Sequence, residues 1–211
     1  NDWQAGGYAN QQRERAYAMC GRYYIDNDDR PFQELIAQIA AGADGNRLMD
    51  MKLGEIFPTN TVPVLTAERP RLMQWGFTRY NGGGKVINAR SETAMEKPMF
   101  AKAMRERRCL LPASCYFEWK RAGSTKKEKY AIALPDGGPL YMAGVYREEK
   151  TSPIPMLVIL TREAAPGLTH IHDRMPVILP QEGQRAWLAS ECEIGLVIAQ
   201  SIVRLDCVPV S

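Results

Sequence analysis

The chain of 211 residues has few histidines, no paired cysteine motif and no long apolar run. Its five cysteines are an odd number without a Cys-x-x-Cys pair, so neither a disulfide framework nor a zinc site is indicated, and we expect free thiols in a reducing compartment. No stretch approaches the roughly 20 apolar residues that cross a bilayer, and residues 1–18 lack the apolar centre of a secretory signal. We therefore expect a soluble, cytoplasmic protein without a membrane partner.

The common catalytic motifs are also missing from the sequence. There is no GxSxG elbow, HExxH helix motif, phosphate-binding loop or dinucleotide fingerprint. The sequence therefore predicts no metal and no cofactor. Any chemistry has to come from polar residues that are scattered along the chain.

The charge balance leaves a nucleic-acid partner open. The formal net charge is only +3, yet enough basic residues are present to form one positively charged face. These residues are Arg13, Arg15, Arg22, Arg79, Lys85, Arg90, Arg105–Arg108, Lys120, Arg121 and Lys126–Lys129. For Lys126–Lys129 we favour the alternative of a solvated hairpin tip.

The hydrophobic pattern predicts one α+β domain. A helix is expected from about Asp29 and Pro31 to Gly42, and two more at 99–107 and 181–189. Alternating apolar residues predict strands at Val62–Thr66, Leu72–Phe77, Val86–Ala89, Tyr116–Arg121, Lys129–Leu134, Leu140–Arg147 and Met156–Thr161. We interpret the last four as an antiparallel meander. The predicted fold is a curved or barrel-like, mainly antiparallel sheet with a few peripheral helices.

Several polar residues stand where a sheet protein usually has apolar ones. They are Asn88 and Arg90 at a strand end, Glu118 between two aromatic residues, and the only histidines, His170 and His172. Each has a structural alternative. Asn88 would cap a turn, Glu118 would be the outward residue of an alternating strand, and His172 would be a satisfied core histidine.

Taken together, these residues lie in segments that resemble a known family. The segments are Met19–Tyr23, Ile87–Thr93, Tyr116–Trp119 and Ile171–Pro176. In their order and spacing they resemble the SOS-response-associated peptidase (SRAP) family. The resemblance runs from Met19 to Ser211, and it implies a domain at 19–211 preceded by a leader at 1–18.

The resemblance implies covalent capture of abasic sites in single-stranded DNA, as part of a DNA-damage response. It makes Cys20 the nucleophile, with Asn88, Glu118 and His172 around it. A cysteine with a free α-amine can form a Schiff base with the sugar aldehyde and then close a thiazolidine through its thiolate. Glu118 and His172 suit proton transfer, whereas Asn88 suits orientation through its amide.

The resemblance also implies how the strand is held. Arg22, Arg90 and Arg174 flank the expected site and would bind phosphates on either side of the lesion. The sequence departs from the usual family pattern after Trp75, where a tryptophan-bearing loop is common. Here we expect Tyr80 to stack on bases and Trp75 to lie in the core.

The leader at 1–18 conflicts with this chemistry, because it makes the α-nitrogen of Cys20 an amide. One interpretation is a start codon assigned upstream of a true Met19. The other is a propeptide removed by autoproteolysis. We favour the first, because a cysteine is small enough for removal of the preceding methionine.

Two other functions stay open. A cysteine-type peptidase or autopeptidase would use Cys20 as nucleophile and His172 as base, with Asn88 or Glu118 supporting them. A non-catalytic reader of damaged or modified DNA would need neither Cys20 nor Glu118. In every case we expect a monomer that associates with the nucleoid when bound to DNA.

Overall fold

The computed structural model describes residues 21–122 and 126–210 of the chain. Its α-helices are α1 (Arg30–Ala40), α2 (Pro98–Glu106), α3 (Gln181–Leu188) and α4 (Ile194–Ala199), and a 3₁₀ helix spans Gly45–Asp50. Its strands up to residue 90 are β1 (Arg22–Ile25), β2 (Gly54–Ile56), β3 (Thr61–Thr66), β4 (Pro70–Trp75), β5 (Phe77–Thr78), β6 (Lys85–Val86) and β7 (Asn88–Arg90). The later strands are β8 (Arg108–Ala113), β9 (Cys115–Ala122), β10 (Lys126–Ala133), β11 (Leu140–Arg147), β12 (Met156–Glu163), β13 (Arg174–Pro176) and β14 (Asp206–Val210).

Two mainly antiparallel sheets form the domain. In one, β11, β8, β3, β4 and β12 follow each other, and a further pairing of β11 with β12 closes the ring. Strands β7 and β13 extend this ring from β12. The other sheet has the order β14-β10-β9-β1-β2, and β5 and β6 make a separate hairpin.

The predicted class is confirmed: the protein is a single α+β domain with a ring-like sheet and a few helices. The predicted meander is wrong, because β9–β10 and β11–β12 are hairpins of different sheets. Strand β11 pairs with β8 instead of β10. The physical reason is burial: β11 is buried over most of its length and fits the ring, whereas β10 carries Lys127, Glu128 and Lys129 and keeps one polar face.

The predicted helices are present with shifts of one or two residues at their ends. The apolar stripe of α2 is buried at Phe100, Ala103 and Met104, as its spacing indicated. Trp75 is fully buried, which confirms its expected place in the core. No helix in the described part of the chain is long and apolar enough to span a bilayer.

Arg108 corrects the expected basic face, because this residue is buried and not on the surface. Its guanidinium donates hydrogen bonds to main-chain oxygens of Met104, Arg105, Trp187, Ala189 and Ser190. These carbonyls lie at the carboxyl ends of α2 and α3, where helices have unsatisfied acceptors. Arg108 therefore joins two helix ends and leaves the basic surface to other residues.

Candidate functional site

Strands β1 and β9 bring the first and third motifs together. Arg22 pairs with Phe117 and Tyr23 with Tyr116, so Glu118 lies one residue beyond the last described pair. Side chains alternate along a strand, and Glu118 therefore shares the inner face with Tyr116. Its residue exposure is 3%. The alternative of an outward-facing Glu118 is wrong.

Trp75 connects the second motif to the first. Its indole Nε1 donates a hydrogen bond of 2.9 Å to the main-chain oxygen of Ile87, directly before Asn88. Its ring centroid lies 5.4 Å from that of Tyr23. Asn88 itself lies in β7 opposite Ile159 of β12, so it is part of a ladder and not a turn cap.

The histidines lie on a loop that closes upon itself. The main-chain nitrogen of Ala164 donates to the oxygen of Asp173 over 2.9 Å, and that of His172 donates to Leu168 over 3.2 Å. The side chain of His172 keeps 29% of its surface exposed, so it is not a core histidine. The ring of His170 meets that of Tyr130 edge-on at 6.4 Å, and Tyr130 is the β10 partner of Glu118.

One ring nitrogen of His172 has two polar neighbours. Its Nδ1 accepts the main-chain N–H of Arg174 at 3.1 Å and also lies 2.8 Å from Asp173 Oδ1. One nitrogen cannot accept the first bond and donate the second at the same time, so the two contacts belong to different positions of the ring hydrogen. The ring accepts from Arg174 when Nδ1 carries no hydrogen, and it donates to Asp173 when Nδ1 carries one.

All four motifs contribute to one hydrophobic cluster. Its members from the motifs are Tyr23, Tyr116, Ile171 and Met175, with Ile87 packed against them. Asn88 and His172 directly follow Ile87 and Ile171 in sequence, and Glu118 lies two residues after Tyr116 on the same strand face. Cys20 lies outside the described residues, which begin beside it at Gly21.

Arg174 is the most tightly held of the predicted phosphate ligands. Its two terminal nitrogens lie 2.6 and 2.8 Å from the two carboxylate oxygens of Glu92, and Nη2 also donates to the oxygen of Thr161 at 2.8 Å. The hydrogen bond from Arg174 lowers the pKa of Glu92. In this state Arg174 anchors the histidine loop, and its contact with phosphate stays a prediction.

Arg22 lies in a cationic and aromatic surface on the outer face of the second sheet. Its guanidinium lies 4.4 Å above the ring of Phe57 and 5.0 Å from that of Trp119, and Nη1 is 3.3 Å from Glu55 Oε1. Lys129 shares the same carboxylate oxygen at 2.8 Å. Hydrogen bonding from Lys129 lowers the pKa of Glu55 despite the opposing effect of its burial.

Sequence reasoning missed Phe57, Trp119 and Lys129 as members of this surface. The ammonium of Lys129 lies 3.8 Å above the ring of Phe117, so it is not part of a solvated hairpin tip. A signal was present, since Phe117 and Trp119 alternate with Glu118 and had to face away from it.

Arg90 and Tyr80 are the exposed members of the predicted DNA-binding set. Arg90 pairs across β7 and β12 with Thr161. Tyr80 is 74% exposed on the loop between β5 and β6, with the guanidinium of Arg147 5.6 Å from its ring. Gly76 has φ +118°, a conformation open to glycine, and it lets the chain turn from β4 into this hairpin.

Burial makes three cysteines of the described chain, Cys109, Cys115 and Cys192, poor nucleophiles. Burial raises the pKa of Cys115 to about 11, and burial also raises the pKa values of Cys109 and Cys192. Such thiols are almost wholly protonated near neutral pH. Within residues 21–122 and 126–210, no group of three or more His, Cys, Asp or Glu is arranged to hold a metal ion.

The α+β fold and the four sequence motifs are features of one protein family. Residues 19–211 match the family model described as SOS response associated peptidase (SRAP). The chain therefore belongs to the SRAP family.

Several curated relatives carry one functional description. The abasic site processing protein YoaM of Bacillus subtilis (strain 168) is 33% identical over 171 residues, covering 80% of this chain and 67% of YoaM. The abasic site processing protein YedK of Escherichia coli (strain K12) is 36% identical over 203 residues, covering 90% of this chain and 88% of YedK. HMCES of Rattus norvegicus, also an abasic site processing protein, is 28% identical over 56% of this chain and 41% of its own length.

Solved structures support the fold independently. A protein of Bacteroides thetaiotaomicron superposes with a TM-score of 0.76 at 21% identity, covering 91% of this chain and 92% of that protein. A phage-related protein of Bordetella bronchiseptica gives a TM-score of 0.70 at 21% identity, with 90% and 94% covered. At this identity the likeness concerns the fold alone.

Proposed function

We propose that this chain captures abasic sites in single-stranded DNA through a covalent bond to Cys20. One observation carries the proposal: the register of β1 and β9, in which Arg22 pairs with Phe117, sets Gly21 level with the buried Glu118. Gly21 directly follows Cys20 in the sequence. The relatives named above are all called abasic site processing proteins.

The proposed reaction has two steps and needs no oxidant or reductant. The α-amine of Cys20 condenses with the aldehyde carbon of the opened sugar and releases one water, giving an imine. The thiolate then adds to the same carbon while the nitrogen takes up a proton, and a thiazolidine results. An internal cysteine would stop at a reversible hemithioacetal.

Three side chains are assigned roles in these steps. Glu118 would donate and accept the protons needed for ring opening and for imine formation, because it is a carboxyl group that is 3% exposed. His172 would serve the ring oxygen, since an imidazole can give and take a proton and its Nδ1 lies beside both a donor and an acceptor. Asn88 would orient the aldehyde or Cys20 through its amide.

The proposed domain spans 19–211, and residues 1–18 must be separated from Cys20 before a thiazolidine can form. The family match begins at residue 19, directly before the nucleophile. Either an alternative start followed by methionine removal or an internal cleavage would free the amine. Family members are described as peptidases, which keeps the second route open.

The DNA contacts follow from charge and exposure. Arg90 and Arg22 offer guanidinium groups to phosphates, and exposed Tyr80 offers a ring to a base. Arg174 would contact a phosphate either while it keeps its ion pair with Glu92 or by giving up that ion pair. Binding should favour single strands, because an unpaired nucleotide reaches a buried carboxyl more easily than a paired one.

Intact mass measurement tests the proposal. A chain that begins at Cys20 and the full chain are incubated with an oligonucleotide carrying one abasic site. We expect a heat-stable adduct, one water lighter than the sum of its parts, for the chain beginning at Cys20 and none for the full chain. An equally stable adduct of the full chain with residues 1–18 attached would overturn the role of the amine.

The same experiment separates the proposed capture from a cysteine peptidase. Cleavage before Cys20 in the full chain that is lost on substitution of His172, together with no adduct from the chain that begins at Cys20, would favour the peptidase. We expect the capture to take place in the bacterial cytoplasm on the nucleoid, and one relative, YedK, is a protein of Escherichia coli.

A further inference from the structure

A groove of about 450 Å³ lies away from the four motifs. It is bounded by the 3₁₀ helix, β3, β4, β6 and the segment before β12. Its lining includes Arg47, Asp50, Thr61, Gln74, Lys85 and Ser152. Its volume lies within the range of small-molecule and cofactor sites.

Two cations, Arg47 and Lys85, and one carboxylate, Asp50, line this groove. Lys85 Nζ donates to Thr78 Oγ1 at 2.8 Å and lies 3.6 Å from the sulfur of Met156, both of which are neutral groups. In the described part of the chain, neither Arg47 nor Lys85 pairs with a carboxylate. Asp50 offsets one of the two charges, so the lining keeps an excess of one positive charge. Hydroxyl and amide groups complete a lining suited to a phosphate and its sugar.

The distance between the groove and the proposed site can be measured along β12. Met156 of β12 pairs with Gln74 in the groove, and Ile159 of the same strand pairs with Asn88. Three residues along a strand span about 10 Å. A nucleotide advances a strand by about 3.4 Å in a duplex and by more when stretched. With the lesion at Asn88, as proposed above, the distance of about 10 Å corresponds to roughly two to three nucleotides.

Lys85 is held in a fixed position relative to Tyr80. Both belong to the β5–β6 hairpin, and Glu149 accepts a hydrogen bond of 2.9 Å from the main-chain nitrogen of Thr78 at its base. Arg147 donates to the oxygen of Thr78 at 2.8 Å and to Glu149 at 2.7 Å. The β5–β6 hairpin thus carries both Lys85, which lines the groove, and the exposed ring of Tyr80. The hydrogen bonds of Thr78 with Glu149 and Arg147 fix the base of this hairpin.

We propose that this groove binds the phosphate and sugar of a nucleotide two or three positions from the abasic site. The inference rests on the proposed function, because it extends the same DNA path. The ligand chemistry is a deoxynucleotide phosphate, which occurs both within a DNA strand and in free deoxynucleotides. The strand is the source we assign, since β12 connects the groove to Asn88.

Binding of the full chain to undamaged single-stranded oligonucleotides tests the groove without any crosslinking step. Lys85→Gln and Arg47→Gln remove one charge each, and Lys102→Gln is the control on the exposed face of α2. We expect the dependence of log K on log salt to fall by roughly 0.7 for each groove variant with an oligonucleotide of about twelve nucleotides. The salt dependence of Lys102→Gln should equal that of the unmodified chain.

Length and ligand source give the deciding comparisons. With an oligonucleotide of about three nucleotides, which covers only the proposed site, the groove variants should bind like the unmodified chain. Equal loss for short and long oligonucleotides, or no change in slope for either variant, would overturn the groove. Free deoxyadenosine monophosphate that competes fully with the long oligonucleotide would instead assign the groove to free nucleotides and refute the strand.

The outcome is independent of the crosslink. If the chain beginning at Cys20 forms no adduct while the salt slopes change as expected, the proposed capture fails and the groove stands. If the adduct forms and the slopes do not change, the capture stands and the groove fails.

Discussion

Arg174 and Glu92 form an ion pair with two hydrogen bonds, 2.6 Å for Nη1 to Oε1 and 2.8 Å for Nη2 to Oε2. The side chain of Arg174 is 10% exposed and that of Glu92 is 45% exposed. The pair joins the segment after β7 to β13, which directly follows the histidine loop. The geometry of His172 therefore depends on a contact that sequence alone assigned to DNA.

This pair predicts a pH-dependent stability. The pKa of Glu92 is lowered in the fold, mainly by the hydrogen bond from Arg174, so its contribution is present above the unfolded value of about 4.5 and is lost as pH falls through the folded value. Glu92→Gln should reduce the free energy of unfolding at pH 7 by roughly 1–2 kcal/mol, less than for a fully buried pair. Urea unfolding at pH 7 and near pH 3 measures this. A variant effect that persists undiminished near pH 3 would contradict the mechanism.

Arg108 predicts a larger effect on stability. Arg108→Met removes the donors for carbonyls at the ends of α2 and α3 and leaves those buried acceptors without their charge-assisted bonds. We expect a loss of about 3 kcal/mol or more in the free energy of unfolding. Arg105→Met is the matched control, because its side chain is exposed and donates to the oxygen of Ala101 in its own helix. Equal unfolding midpoints for the two variants would refute the capping role of Arg108.

The comparison of sequence with structure separates local from long-range information. Periodicity predicted α2 because Phe100, Ala103 and Met104 repeat at helical spacing and are buried. It missed β1, β2 and β13, since strands of three or four residues carry too little alternation to be distinguished from loops. It also missed β8, which is buried along its whole length and shows no alternation, and β14, which contains Pro209. The meander failed for a related reason: the partner of β11 is β8, a choice made by burial across the ring.

The candidate site shows the same division. Motif resemblance assembled Asn88, Glu118 and His172, and the structure joins their segments in one cluster. It did not reveal that Arg174 holds Glu92, because both residues are polar and 82 positions apart. Charge counting likewise placed Arg108 on the surface, although its guanidinium is buried and donates hydrogen bonds to carbonyls at two helix ends.

Tyr80 predicts how flanking bases contribute to affinity. Its ring is exposed and rests near Arg147, so a base can stack on the open side. Tyr80→Ala should weaken binding of single-stranded DNA by about 1–3 kcal/mol, whereas Tyr80→Phe should retain most of the affinity. Fluorescence anisotropy with a labelled oligonucleotide measures both. Similar losses for the two variants would show that the hydroxyl, and not stacking, makes the contact.

Glu118 predicts a separation of chemistry from binding. In a chain beginning at Cys20, Glu118→Gln keeps the size and the hydrogen-bonding capacity of the buried side chain but removes its acid and base function. Crosslinking to an abasic strand should slow by about a hundredfold, with affinity for a non-reactive abasic analogue changed less than about threefold. Glu128→Gln on exposed β10 is the matched control and should crosslink at the unmodified rate. If Glu118→Gln crosslinks as fast as this control, the proton transfer belongs to another group, and His172 becomes the first candidate to substitute.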